Sequence, residues 1–315
     1  MSLFFMLSGF ILSYRYSGFT EPGSWSAFYK ARVARLYPVY LFMGIVTIWT
    51  LGSTREGFLL AEWGAGGQLI WLAIVVGLFV LALQAWFPAF FSVWNFGGSW
   101  SLSVEAFFYS MFPALREKFN SMSNGALVAV IYGTPLVLIL ILVGMIASLH
   151  DEKVSSIVFY SVPIYRLPEF LLGIAGYCYF LERRGNLNYL KVAAGASAGI
   201  GLILLYFVGD LPGNIDYGAF FVLPFLFAFV VFAKPFQLPT LVSSTFNYLG
   251  SVSYCVYIVQ FGTVPLYKAA LTGSNVEFKW FIFICTNLLL AVLVYHFVER
   301  PAHGYLRTKL SLRGS

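Results

Sequence analysis

Charged residues are scarce in this sequence. Only 10% of its 315 residues are Asp, Glu, Lys or Arg, whereas about 25% is usual in soluble globular domains. Hydrophobic residues make up 60% of the chain, against about 45–50% in such domains. This excess is too large for a soluble core, so the composition predicts an integral membrane protein. The net charge of +6 then favours basic loops beside an anionic membrane surface, and we expect no nucleic-acid partner because no basic, aromatic-rich stripe crosses a polar segment.

Cysteine is also rare, and the three residues Cys178, Cys255 and Cys285 each lie in an apolar run. Their odd number and their spacing match no zinc or haem pattern. The sequence has no phosphate-binding glycine loop and no nucleophile elbow. We therefore expect neither a metal site nor a tightly bound cofactor.

Long apolar runs occupy most of the chain instead. They predict ten candidate helices, which are Leu3–Tyr16, Tyr37–Leu51, Leu69–Trp86, Trp100–Leu115, Ala126–Ser148, Ile157–Phe180, Val192–Val208, Tyr217–Ala233, Phe246–Tyr267 and Phe278–Val298. The links are short and the alternation of a membrane barrel is absent. The pattern predicts an all-α integral membrane protein, with residues 1–315 as one domain and nine or ten transmembrane helices in a polytopic bundle.

Loop charge leaves one conflict in this topology. Arg35 and Arg116 belong to basic clusters that both favour the cytoplasmic side, yet three candidate helices separate them. Either one of these three segments is re-entrant or interfacial, which we prefer, or the cluster at Arg116 lies outside.

Two places carry charge where apolar residues are expected, and each charge inside lipid is a functional candidate. Glu105 lies four residues into an apolar helix that opens with Trp100; a functional carboxylate and a structural salt bridge are evenly balanced explanations. Arg166 and Glu169 are three residues apart on one helix face and are able to pair with each other. Pro168 between them is expected to open or kink the helix.

The arginines Arg32 and Arg35 are one turn apart at the predicted mouth of a helix, where Pro38 suits the first turn. Two guanidinium groups on one face can grip phosphates, although an anchor at the cytoplasmic surface is the simpler explanation of this feature alone. Tyr254 belongs to a hydroxyl-rich stretch of the kind that joins helices. Pro301 is predicted to stop the last helix.

The histidines offer little for catalysis. His150 and His303 lie in polar segments without an acidic or cysteine partner nearby in the sequence, and His296 lies near the inner end of the last helix. A packed or interfacial histidine is the more common explanation for such a position.

Taken in order, several stretches resemble the acyltransferase 3 family, the membrane O-acyltransferases that include the O-antigen acetylases. The matching stretches are Phe4-Phe5-Met6-Leu7-Ser8-Gly9-Phe10, the group Arg32, Arg35 and Pro38, Trp100-Ser101-Leu102-Ser103-Val104-Glu105, Arg166-Leu167-Pro168-Glu169-Phe170, Ser253-Tyr254-Cys255-Val256-Tyr257 and Glu299-Arg300-Pro301. Each stretch is weak alone, but six in the family's order over nearly the whole chain are specific.

The resemblance implies a multi-pass enzyme of the bacterial cytoplasmic membrane. Such an enzyme moves an acyl group, commonly acetyl, from cytoplasmic acyl-CoA to a hydroxyl of a cell-surface glycan or lipid-linked saccharide. Its partners would be membrane lipids, acyl-CoA as the donor substrate and the glycan acceptor. The resemblance casts Arg32, Arg35 and Tyr254 as contacts to CoA, and it casts Glu105, Arg166 and Glu169 as the polar, catalytic part of the bundle.

The sequence departs from the family in two places. Family members usually carry one more N-terminal helix that ends in a histidine thought to be catalytic, so the chain is expected to be truncated at its N-terminus. Gln260 stands where many relatives have histidine. A hydroxyl attacks a thioester poorly without a base, which leaves Glu105 as a fallback base and an inactive remnant that binds a partner as another hypothesis. A transporter or flippase for a lipid-linked saccharide is the main alternative, although no matched halves support it.

Overall fold

All regular structure in the described part of the chain is helical, as predicted. The computed structural model describes residues 1–17, 24–50, 64–88, 91, 96–148, 158–182, 239–270 and 276–309. In chain order its α-helices are α1 (Ser2–Arg15), α2 (Ser24–Thr50), α3 (Gly64–Val80), α4 (Phe96–Ser121), α5 (Asn124–Ser148), α6 (Pro163–Gly176), α7 (Thr240–Ala270), α8 (Val276–Val294) and α9 (Arg300–Lys309). The predicted helices Val192–Val208 and Tyr217–Ala233, and His150, lie outside the described residues.

Helix α2 begins at Ser24 rather than near Tyr37. Arg32 and Arg35 are therefore one turn apart inside a helix, and the prediction that they lie at a helix mouth is wrong. Pro38 is also internal, not in the first turn. The apolar run marked only the later part of the helix, whereas the earlier part contains good helix formers such as Ala27, Lys30 and the arginines themselves.

Helix α4 extends beyond the predicted segment at both ends, from Phe96 to Ser121. Arg116 consequently lies within the helix and is 2% exposed. Arg116 is therefore not a loop charge. The conflict between the basic clusters at Arg35 and Arg116 assumed that it was, and is weakened.

Two prolines lie inside helical segments. Pro168 does not open a helix, because α6 begins at Pro163, and the kink expected at Pro168 stays a prediction. Pro301 does not stop the last helix, because a π-helical turn at Tyr295–Glu299 leads directly into α9.

One helix of the described residues, Glu277–Leu306, is long and apolar enough to cross a membrane. Three apolar helical segments are shorter, namely Ser2–Arg15, Ile70–Val80 and Asn124–Thr134. The count of nine or ten spans stays a prediction.

The chain divides into two compact units, and the boundary falls within α4 between Leu102 and Ser103. The first unit comprises Met1–Thr20 and Ser103–Phe236. Its core is aromatic: the rings of Phe108 and Phe170 stack with centroids 4.6 Å apart, and Phe5 meets Phe108 edge-on at 5.4 Å.

In this first unit α1 packs against α6 through two glycines. A Cβ at Gly9 would overlap the carbonyl oxygen of Phe170, and a Cβ at Gly173 would overlap that of Met6. Small residues of this kind let helix backbones approach closely.

The second unit comprises Glu21–Leu102 and Gln237–Ser315. Helices α2 and α7 supply most of its apolar core. The buried members are Val39, Tyr40, Met43, Val75, Phe79, Leu102, Val252, Cys255, Ile258, Val259 and Ala291.

Candidate functional site

Each of the two units contains its own set of polar side chains, and the candidate site residues are divided between the two units. Glu105, Arg166 and Glu169 belong to the first unit, while Arg32, Arg35 and Tyr254 belong to the second.

Arg166 and Glu169 form a fully buried ion pair on α6. Nη2 of Arg166 lies 3.0 Å from Oε1 of Glu169, and the two side chains are 2% and 0% exposed. The same Nη2 donates a hydrogen bond of 2.9 Å to the hydroxyl of Ser2 on α1. The guanidinium also lies over the rings of Phe5 and Tyr160, at 5.4 and 5.6 Å from their centroids. The pair is therefore neutralised internally, and Arg166 joins α6 to the beginning of α1.

The stretch that supplies this pair packs against the first matching stretch, which lies on α1. Gly9 of the first matching stretch lies against the backbone of Phe170, and Gly173 lies against Met6. The close approach of α1 and α6 places the hydroxyl of Ser2 within reach of Arg166.

Glu105 lies on α4, a different helix from Arg166, as predicted. Its carboxylate is half-buried and accepts a hydrogen bond of 3.1 Å from the hydroxyl of Tyr109, one turn later. A half-buried carboxylate is suited to exchange a proton or a hydrogen bond with a substrate.

A second buried arginine in this unit escaped the sequence reasoning. Arg116 donates to Glu182 at 2.8 Å, to the sulfur of Cys178 at 3.1 Å and to the amide oxygen of Asn120. Glu182 ends the π-helical turn Tyr177–Glu182. Arg116 follows an apolar run and was therefore expected in a loop. The polar residues up to Ser121 in fact continue the same helix.

In the second unit, Arg32 and Arg35 lie beside the anchor point of Tyr254. The hydroxyl of Tyr254 on α7 donates a hydrogen bond of 2.8 Å to the carbonyl oxygen of Leu36 on α2. Arg32 is half-buried, with its guanidinium 5.8 Å from the ring centroid of Phe28, and Arg35 is exposed. Two of the matching stretches thus meet at the turn of α2 that carries the arginines.

The carboxylate of Glu299 completes this region from the end of the π-helical turn. It is 8% exposed and accepts a hydrogen bond of 2.9 Å from the thiol of Cys255. It also lies close enough to Arg35 for an electrostatic attraction. Glu299 of one stretch, Cys255 of another and Arg35 of a third therefore lie together.

The stretch beginning at Trp100 also makes contacts within the second unit. The hydroxyl of Ser101 donates to that of Tyr257 at 2.7 Å, and the Tyr257 hydroxyl lies 3.3 Å from the carbonyl oxygen of Gly98. Beside them Gln84, which the sequence reasoning passed over, is 2% exposed and hydrogen-bonds to Tyr40 and Ser99. A lone amide inside a predicted apolar helix was the signal that marked it.

The described residues contain no group of His, Cys, Asp or Glu able to hold a metal ion. His296 shares a hydrogen bond of 3.1 Å with the hydroxyl of the exposed Tyr248, and His303 lies on α9. The polar groups of this part of the chain are mainly arginines, carboxylates, hydroxyls and the buried amides of Gln84 and Asn287, which suit the binding of anionic and hydroxylated molecules.

Comparison with known families agrees with this chemistry. A family model described as an acyltransferase domain matches residues 1–296. The chain belongs to the acyltransferase 3 family. This is a family of membrane-embedded acyltransferases, and the matched residues include the arginines described above and the carboxylates Glu105, Glu169 and Glu182. No curated protein and no solved structure matches the chain.

Proposed function

We propose that this acyltransferase 3 family member is a multi-pass O-acyltransferase of a bacterial cytoplasmic membrane. It transfers an acyl group, in the simplest case acetyl, from cytoplasmic acyl-CoA to a hydroxyl of a cell-surface glycan or lipid-linked saccharide. Family membership supports acyl transfer. The observation that supports acyl-CoA as the donor is the pair Arg32 and Arg35, which lie one turn apart on α2 beside the hydrogen bond from Tyr254 to Leu36.

The donor assignment follows from charge and geometry. CoA carries several phosphates, and guanidinium groups bind phosphate oxygens through charge-assisted hydrogen bonds. Tyr254 hydrogen-bonds to the α2 backbone one residue beyond Arg35 and so holds this turn of the helix against α7. The buried carboxylate of Glu299 attracts Arg35 and so favours orientations of the Arg35 side chain that face it. A prearranged pair loses less conformational freedom when it binds an anion.

The acceptor chemistry is assigned to the first unit. Glu105 is half-buried and keeps a hydrogen bond to Tyr109, so we propose that it contacts the acceptor hydroxyl. Arg166 and Glu169 already neutralise each other. We propose that they orient the polar interior and the beginning of α1 rather than react themselves.

Proton removal from the acceptor limits the rate in this scheme. A histidine is the usual base near neutral pH, but His296 is bonded to Tyr248 at an exposed position and His303 lies on α9. Among the described residues Glu105 is the remaining candidate for the base, and Glu105→Gln tests it. Loss of a general base costs about 10²–10⁴-fold in rate, so an unchanged rate of acetyl transfer would exclude Glu105 from this role.

Binding of acetyl-CoA tests the donor assignment independently of turnover. The protein is placed in lipid nanodiscs and titrated calorimetrically, as wild type and as the double variant Arg32→Gln/Arg35→Gln. Since hydrogen bonds to charged groups contribute about 1.5–3 kcal/mol each, the double variant should lose at least about tenfold in affinity.

Lys30 provides the matched control. It is an exposed cation on the same helix, two residues before Arg32, so Lys30→Gln removes one positive charge, as each single arginine substitution does, and should leave affinity within about twofold, since surface charges contribute little. Equal losses of affinity for Lys30→Gln and the arginine variants would show that the effect comes from overall positive charge and not from a specific site. Unchanged binding in the double variant would remove the donor site from α2. Translocation of a labelled lipid-linked saccharide without acetylation would favour the alternative, a transporter or flippase.

A further inference from the structure

Three polar side chains from separate segments meet in the core of the second unit. The side-chain nitrogen of Gln84 donates to the hydroxyl of Tyr40 at 3.0 Å and to the carbonyl oxygen of Ser99 at 3.0 Å. The Tyr40 hydroxyl in turn donates to the carbonyl oxygen of Phe79 at 2.7 Å. All three side chains are at most 2% exposed. Buried polar groups in an apolar core are costly unless every one of them is satisfied.

One group in this cluster is not satisfied. Oε1 of Gln84 is buried and has no hydrogen-bond partner within the described part of the chain. Reversal of the amide would place this oxygen against the Ser99 carbonyl oxygen, acceptor against acceptor, so the assignment of nitrogen and oxygen is fixed by the network. A buried acceptor without a donor requires an explanation, and a ligand that brings an N–H group provides one.

The backbone that carries Gln84 is strained. Helix α3 ends at Val80, and Ala82 has a φ of 53°, in the left-handed region that residues with a side chain rarely adopt. The turn is held by hydrogen bonds from Ala82 to Phe79 and from Leu83 to Leu78, at 2.9 and 2.8 Å. These are the two hydrogen bonds of a Schellman motif, a common helix C-cap in which glycine usually occupies the left-handed position. The cap ends α3 and turns the chain so that the side chain of Gln84 enters the core.

The position of the cluster along α2 indicates which ligand group arrives there. Tyr40 lies five residues beyond Arg35 and eight beyond Arg32 on one helix, which corresponds to about 8–12 Å along its axis at 1.5 Å per residue. In acyl-CoA the pantetheine arm connects the phosphates to the thioester, contains two amide N–H groups and is longer than this separation. If the arginines bind the phosphates of CoA, the two amide N–H groups of its pantetheine arm can reach the level of Gln84.

We infer that Oε1 of Gln84 accepts a hydrogen bond from an amide N–H of the pantetheine arm of bound acyl-CoA. The inference rests on the proposed function, because it requires acyl-CoA to bind beside α2. Oε1 is closed to solvent in this structure, so the arm displaces a neighbouring side chain or shifts the turn at residues 81–83 as it enters. Gln84 is then a binding residue that selects the pantetheine arm, and Tyr40 and Ser99 hold its amide in place.

Ligand analogues test this contact directly. The protein in nanodiscs is titrated with acetyl-CoA and with two analogues, in each of which one pantetheine amide is replaced by an ester. The wild type should bind one analogue about three- to tenfold more weakly, as expected for one lost hydrogen bond. Gln84→Met should bind acetyl-CoA more weakly by a similar factor and should no longer distinguish it from that analogue. Gln84→Asn keeps an amide but retracts it, and should lose the same preference; it replaces Gln84→Met if that variant does not fold.

A control variant separates this role from a structural one. Thr47→Val removes another buried hydroxyl of α2, one that donates to the carbonyl oxygen of Gly44 on its own helix, and should keep the preference for the amide ligand. If the wild type binds acetyl-CoA and both analogues equally, or a Gln84 variant keeps the preference, the inference is overturned and the proposed function stands. If the wild type does not bind acetyl-CoA, both fail.

Discussion

The contact between α1 and α6 depends on two glycines, and Gly173→Ala tests it. The added Cβ would overlap the carbonyl oxygen of Met6 and would come within 2.8 Å of the backbone nitrogen of Phe10. Both are backbone atoms that no rotamer change can move away, so the helices must separate. Overpacking of this kind costs about 1–3 kcal/mol.

Separation of the helices also disturbs the contacts beside the glycine. The stacked pair Phe108 and Phe170, with centroids 4.6 Å apart, adds about 0.5–1.5 kcal/mol for such aromatic geometry. The hydrogen bond of 2.9 Å from Arg166 to Ser2 crosses the same interface. We therefore expect Gly173→Ala to lower the free energy of unfolding by about 2–4 kcal/mol.

Unfolding titrations in mixed micelles, followed by circular dichroism, measure this loss. Gly133→Ala is the matched control, because a Cβ at Gly133 on α5 meets no atom within 4 Å and alanine is the better helix former by up to about 1 kcal/mol. The control should be neutral or stabilising. Equal unfolding midpoints for Gly173→Ala and the wild type would refute the glycine contact.

Three further outcomes follow from the buried hydrogen bonds and can be measured in the same titration. Arg166→Met should cost about 3–5 kcal/mol because it leaves Glu169 buried without its counter-charge, and adding Glu169→Leu should recover most of this loss; a double variant as unstable as the single one would contradict the pairing. Arg116→Met should cost less than Arg166→Met, because its partner Glu182 is 32% exposed and water can hydrate it; the reverse order would contradict this reasoning. Tyr254→Phe should cost about 0.5–1.5 kcal/mol through the lost bond to the α2 backbone, and an unchanged midpoint would show that this bond contributes nothing.

The sequence predicted the helical class and the family but not the helix limits. Apolar length marks the part of a helix that suits lipid, so α2 was begun near Tyr37 although it starts at Ser24. The polar residues before Tyr37 continue the same helix because their propensity and their own partners support it. The same reasoning placed Arg116 in a loop, whereas α4 continues to Ser121.

The pairing of the matching stretches was beyond sequence reasoning. Ser8-Gly9-Phe10 and the stretch at Arg166 were weighed separately, yet Gly9 and Phe170 touch across α1 and α6. Glu299, at the end of the π-helical turn after α8, likewise pairs with Cys255 on α7. Spacing along one helix determines which residues share its face, but the choice of the facing helix depends on how distant segments pack. A single sequence contains no direct signal of that choice.

The end of α8 shows how one local change affects both structure and chemistry. An uninterrupted α-helix would have needed the N–H that Pro301 lacks, and this was the reason to expect a stop. The π-helical turn at Tyr295–Glu299 changes the hydrogen-bond register just before Pro301, and the chain continues as α9. The same turn ends at Glu299, whose buried carboxylate accepts the bond from Cys255 and attracts Arg35. Such turns are frequent at functional sites because the wider turn redirects a side chain. A regular helix that stopped at Pro301 would leave Glu299 at a terminus that frays. Its attraction to Arg35 would then be weaker, and the donor site that we propose on α2 would be less well ordered.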